Sequence, residues 1–341
     1  MKADLIIHRI HRLYTPHLNP PIKGDSMKNI REIHHAYVCI KDSKIMAIGS
    51  GDFSMYQGDQ TELFDAKHQI MIPGLIDSHT HLVHGGSRES EYKKLLEGVP
   101  YLDILNAGGG IHRTVEHTAL ASEKELYEKA YHSLDHMLKL GVCLVEAKSG
   151  YGLNFETELK QMMVTRKLNE NHEINIISTY MGAHAIPLRL KGQKDKYVEE
   201  VIGDLKKVMK ASLAEACDIF VEDHVFSVDD ARKILTAAKN LGFVIKMHAD
   251  EISSLGGVPL AVELECASVD HLMAITDADI ERLASSNTVA NLLPGTSFYL
   301  NKPFAPARKL IDKGAALSLS TDYNPGSCPT ENLWLIMQIV A

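Results

Sequence analysis

Eight short apolar runs, alternating with stretches of helical periodicity, restrict this chain of 341 residues more than any other feature. They fall at 75–77, 142–147, 174–179, 218–221, 244–247, 268–270, 288–292 and 316–320. Strand-length apolar segments alternating with amphipathic helices build parallel sheets from βα units, and eight such units can close on themselves. The expected fold is therefore α/β, a (β/α)8, TIM-like barrel over residues 71–341. Helix boundaries are marked as well. Ser122 with Glu125, Ser227 with Asp230 and Thr276 with Asp279 have the spacing of N-terminal caps, and Gly141 and Gly242 stand where two of these helices should stop. Residues 1–70 read differently, as short strands near 5–14, 37–40, 45–48 and 62–64 broken by Gly, Asp, Asn and Pro. A small β-rich domain is expected there.

With 45% hydrophobic residues the chain can bury a substantial core. Its formal charge of -8 comes without a long run of one sign, which disfavours nucleic acid or an anionic membrane as a partner and leaves small molecules. Five cysteines, at 39, 143, 217, 266 and 328, are odd in number and never in C-x-x-C spacing. Neither a disulfide framework nor a thiolate zinc site is expected. No targeting signal and no run of membrane-spanning length is visible, so reduced cytoplasm is the expected compartment.

In such barrels chemistry gathers at the carboxyl ends of the strands. His79 and His81 stand two apart just after the first run, and in an extended strand side chains at i and i+2 share a face. Both imidazoles can therefore converge on one point, as metal ligands do. Among 18 histidines one such pair arises easily by chance. It gains weight from His248, His271 and Asp322, each of which ends a later apolar run. Lys148 and Tyr151, His184, Glu222 and His224, and Glu251 also follow strand ends.

Six segments add detail in a fixed order: Gly85-Gly86-Ser87-Arg88-Glu89, Ala147-Lys148-Ser149-Gly150-Tyr151-Gly152, Met181-Gly182-Ala183-His184-Ala185, His248-Ala249-Asp250-Glu251, Leu293-Pro294-Gly295-Thr296 and Thr321-Asp322-Tyr323-Asn324-Pro325-Gly326-Ser327. Together with the H-x-H pair they resemble the amidohydrolase superfamily of metal-dependent hydrolases, and most nearly its imidazolonepropionase family. The likeness covers essentially the whole chain. It implies hydrolysis of the cyclic amide C–N bond of 4-imidazolone-5-propanoate to N-formimidoyl-L-glutamate in histidine degradation, with ring deamination as the alternative within the superfamily. A non-enzymatic barrel is the third reading, although such relatives lose ligands that are all present here.

The resemblance also implies a site. His79, His81, His248 and Asp322 would hold one divalent metal ion, Zn(II) or Fe(II), because three neutral imidazoles and a carboxylate suit either. Such an ion can bring the pKa of a bound water to about 7. Glu251 would carry protons, and His271 would steady the developing charge or orient the nucleophile. Arg88, Tyr151, His184, Asn324, Gly326 and Ser327 would bind a small anionic substrate, Arg88 as the clamp on its propionate. Superfamily members with two metals bridge them through a lysine after strand 4, and none stands there, so one ion is expected. A homodimer is the assembly to test for. Family members continue several tens of residues further, so this chain, ending in the apolar stretch 333–341, is expected to be truncated and to lack its last helical cover and the strands that complete the small β domain.

Overall fold

The computed structural model describes residues 1–99 and 109–340. They form two compact units, Met1–Gly74 and Leu75–Ala341. In the first, β1 (Leu5–Thr15), β2 (Arg31–Lys41), β3 (Lys44–Ser50), β4 (Glu62–Asp65) and β5 (Ile70–Met71) make one sheet in which β1 pairs antiparallel with β2 and parallel with β4 and β5. Asp42 and Ser43, both with positive φ, turn β2 into β3, the two-residue hairpin that matches the twist of the strands. Ile10, Leu13 and Val38 form part of its core. The strand signal was weak for β2 before Tyr37, where Arg31, Glu32, His34 and His35 are polar and largely exposed. The unit runs on to Gly74, a little past 70, because β5 pairs with β1.

All eight expected runs of the second unit are strands: β6 (Leu75–Thr80), β7 (Val142–Lys148), β8 (Asn175–Ala183), β9 (Ala216–Val221), β10 (Val244–Ala249), β11 (Ser268–His271), β12 (Val289–Leu292) and β13 (Leu317–Leu319). Each is parallel to the next. The ring closes just past β13, where a parallel bridge joins Thr80 to Tyr323. Asp322 N donates to His79 O at 3.0 Å and His81 N to Tyr323 O at 2.8 Å. The closing seam therefore runs through the residues expected to bind metal.

Helices cover the barrel with the caps the sequence marks. Ser122 and Ser227 form reciprocal capping boxes with Glu125 and Asp230, Thr276 accepts from Asp279 N, and Gly242 ends its helix in the left-handed conformation. Leu126, Ala130, Leu134 and Met137 of the helix Glu123–Lys139 bury one face against Val142 and Val145 of β7, the 3.6-residue stripe that packs a helix on a sheet. No described helix is long and apolar enough to cross a membrane.

Candidate metal centre and active site

Strand alternation aims His79 and His81 from β6, and His248 from β10, into the same end of the barrel. All three are buried, and each offers a ring nitrogen within 4.8 Å of the others'. Asp322 follows β13 with φ +55, a conformation that non-glycine residues hold only when their surroundings enforce it. One of its carboxylate oxygens, Oδ1, lies 3.5 Å from His79 Nε2 and 3.7 Å from His81 Nε2. The other accepts from Thr296 Oγ1 at 2.5 Å.

Beneath these residues lies a floor of buried charge. Asp270 Oδ2 is 2.5 Å from His79 Nδ1. A carboxylate only accepts, so Nδ1 carries the proton and Nε2 presents a lone pair to the site. Asp218 Oδ2 lies 3.1 Å from His248 Nδ1, too poorly aligned to count as a hydrogen bond. Lys148 reaches Asp218 at 2.6 Å and Glu146 at 3.0 Å, while Lys246 reaches Glu146 at 2.5 Å. Burial alone would lower the Lys148 pKa, but Asp218, Glu146 and Asp270 together raise it. Lys148 is thus a locked ammonium inside the barrel, unsuited to bridge two metals.

The histidine cluster fits a cation. Burial, reinforced by the neighbouring imidazoles and Lys148, holds His79, His81 and His248 well below the usual imidazole range, so they are neutral at pH 7, as ligands must be. Among the described residues the buried Nε2 atoms of His79 and His248 have no hydrogen-bond partner, a cost a native protein rarely carries without a purpose. Burial also pushes the Asp322 carboxyl up to about 7, and a bound cation is what would keep it ionised. In Asp270→Ala, His79 loses its orienting acceptor, and metal affinity should fall about 10- to 100-fold. Competition with a chelator reads this directly; an unchanged competition curve would mean that Asp270 does not act on the metal site.

Around the cluster stand the other expected residues. Asp250 has φ +55, and the chain turns there so that Glu251 Oε2 comes within 3.6 Å of His271 Nε2. Burial, with Glu222 adding to it, raises Glu251 to about 7. His271 ends β11 with φ +81, its ring centroid 5.1 Å from that of His248 and 5.7 Å from that of His79. The His184 ring stacks on His81 at 4.7 Å, and the Tyr151 ring lies 5.3 Å from His81 and 5.4 Å from His184. His184 Nδ1 is 3.1 Å from Gly150 O, so it donates there and Nε2 is left as an acceptor. Burial brings the His184 pKa down to about 4.

Arg88 is buried, and its Nε donates to Glu91 at 2.9 Å. A Cβ on Gly326 would sit 1.8 Å from Arg88 Nη1. The guanidinium therefore packs directly on the loop that carries Asp322, and only glycine leaves room for it. Asn324 organises that loop, donating to Asp322 O at 2.7 Å and accepting from Gly326 N at 2.8 Å and Ser327 N at 2.7 Å. Two polar residues from strand ends serve elsewhere. His224 points into solvent beside Asp223, because the positive φ at His224 turns the chain out of β9. Glu222 accepts from Ile252 N and Ser253 N, at 2.9 and 3.2 Å, and so braces the loop carrying Glu251.

Residues 70–341 match the amidohydrolase family. The imidazolonepropionase of Fusobacterium nucleatum subsp. nucleatum is 54% identical over 100% of this chain and 83% of its own length. That of Streptococcus gordonii is 48% identical over 99% of this chain and 82% of its own. Among solved structures, a guanine deaminase from C. acetobutylicum superposes with a TM-score of 0.69 at 14% identity, covering 98% of this chain and 77% of that one. An adenosine deaminase from Xanthomonas campestris with bound zinc superposes at 0.67 and 15%, covering 99% and 73%. At such identities these two speak for the fold alone.

Proposed function

The chain belongs to the amidohydrolase family, among its imidazolonepropionases, and from that premise we propose how its barrel mouth opens the ring of 4-imidazolone-5-propanoate. The reaction hydrolyses a cyclic amide C–N bond and yields N-formimidoyl-L-glutamate, a step of histidine degradation. The observation that carries this reading is the likeness to imidazolonepropionases along the whole chain.

His79, His81, His248 and Asp322 would hold one divalent ion, Zn(II) or Fe(II), which when bound would supply Lewis-acid chemistry to the ring carbonyl and to the attacking water. Glu251 takes a proton from that water and returns it to the ring nitrogen as the C–N bond breaks. A carboxyl group with a pKa of about 7 can do both near neutral pH. His271, kept neutral by burial, donates an N–H toward the oxygen on which negative charge collects. Tyr151 and His184 flank the ring, with His184 Nε2 accepting a ring N–H. Arg88 pairs with the propionate, and the loop 324–327 closes the pocket behind it.

The test is charge on the tail. Arg88→Met removes a charge-assisted hydrogen bond of about 1.5 to 3 kcal/mol, so kcat/KM on imidazolonepropanoate should fall roughly 10- to 150-fold. Arg88→Lys should recover only part of that, since an ammonium lacks the planar two-pronged contact. An analogue without the carboxylate should be poor for the parent and no poorer for Arg88→Met. A parent that turns over the neutral analogue equally well has no clamp, and deamination of a neutral ring then becomes the better reading.

A further inference from the structure

One buried carboxylate beside the site has no part in the scheme above. Glu158 lies in the first turn of the helix Phe155–Asn171, is 1% exposed, and forms no ion pair among the described residues. Its Oε1 accepts from Gly152 N at 2.7 Å and Leu153 N at 2.9 Å, and its Oε2 from Gly150 N at 2.8 Å. Next to it, Ser149 Oγ accepts from Met181 N of β8 at 2.9 Å. One side chain thus ties down the segment 150–153, which carries Tyr151 and the carbonyl of Gly150 that orients His184. Space is as constrained as bonding. A Cβ on Gly150 would stand 2.8 Å from His184 Nδ1, and one on Gly152 would stand 2.5 Å from Glu158 N and 2.8 Å from its Oε1.

We propose that Glu158 is a positioning residue for substrate recognition: its carboxylate gathers the backbone N–H groups of 150, 152 and 153 so that Tyr151 and His184 meet the substrate ring in fixed register. This rests on the reading that Tyr151 and His184 contact the substrate. A carboxylate is needed, because each of its oxygens faces at least one N–H donor. In Glu158→Gln one of those oxygens becomes an NH2 group that opposes a donor, and part of the loop is released.

Glu158→Gln should keep its metal while kcat/KM on imidazolonepropanoate falls about 10- to 100-fold, the loss expected when a reacting ring is misplaced by about an ångström. A purely structural carboxylate is separated from a positioning one by a double-mutant cycle with His184→Ala. Because Glu158 acts in part through His184, the loss in the double variant should fall short of the product of the two single losses by at least about threefold. Gly152→Ala disturbs the same cradle with the carboxylate still present and should give the same pattern, which decides the matter if Glu158→Gln does not fold. Multiplying losses in the cycle, or parent-like kcat/KM in a folded Glu158→Gln, would overturn the proposal while leaving the site reading intact. Parent-like kcat/KM in both His184→Ala and Tyr151→Ala would overturn the site reading itself, and the role of Glu158 with it.

Discussion

Glu251→Gln should retain its bound metal and lose about 100- to 10,000-fold in kcat, the range for a removed general acid/base. The substitution is nearly isosteric and leaves His79, His81, His248 and Asp322 untouched, so binding and chemistry separate cleanly. Burial and Glu222 raise the Glu251 pKa to about 7. A base must be ionised to accept the proton of water, so kcat/KM of the parent should climb with pH and level off once Glu251 is deprotonated. A cation nearby favours the ionised form, which places the midpoint at or below about pH 7. In Glu251→Gln that limb should vanish, leaving a low, flat profile. Turnover near the parent level would remove Glu251 from the mechanism.

His248→Ala should abolish or sharply reduce both metal content and activity. His248 is one of three buried imidazoles whose nitrogens lie within 4.8 Å of one another, and an ion held by so few protein ligands does not survive the loss of one at ordinary concentrations. The parent should bind about one ion per chain, because Lys148 is committed to Asp218 and Glu146 and β9 ends without a lysine. As a control, His132→Ala and His136→Ala should change nothing. Those rings touch each other on a helix, 4.3 Å apart, and belong to no metal-binding group among the described residues. Elemental analysis reads the outcome. Full metal content in His248→Ala, or two ions in the parent, contradicts the site as drawn.

The barrel was legible because its strands coincide with short, mostly apolar runs and its helices carry caps between them. Less legible was β2, whose first half is polar, and β5, which is two residues long and held by β1. In the site, residues at the carboxyl ends of the apolar runs stood out, and those deeper within the strands did not. Asp218 and Asp270 lie inside β9 and β11 and support His248 and His79 from below. For Asp270 a signal was present, as polar residues two apart in an otherwise apolar run, Ser268 and Asp270, like Glu146 with Lys148 and Lys246 with His248 in other strands; Asp218 stands alone among apolar neighbours. Such pairs point into the barrel together, and a charge buried there needs partners of the opposite sign. Which carboxylate meets which lysine depends on the register between strands, and a single sequence does not specify that. Glu158 was hidden for another reason. Its partners are backbone N–H groups, which no sequence pattern displays.

The most direct measurement gives the purified, metal-loaded chain 4-imidazolone-5-propanoate and follows the product by mass spectrometry, with guanine and adenosine in parallel reactions. One water should be added to imidazolonepropanoate to give N-formimidoyl-L-glutamate, Glu251→Gln should form it at least about 100-fold more slowly, and neither purine should lose ammonia. Ammonia released from a purine, with imidazolonepropanoate left intact by a folded and metal-loaded chain, would contradict the account.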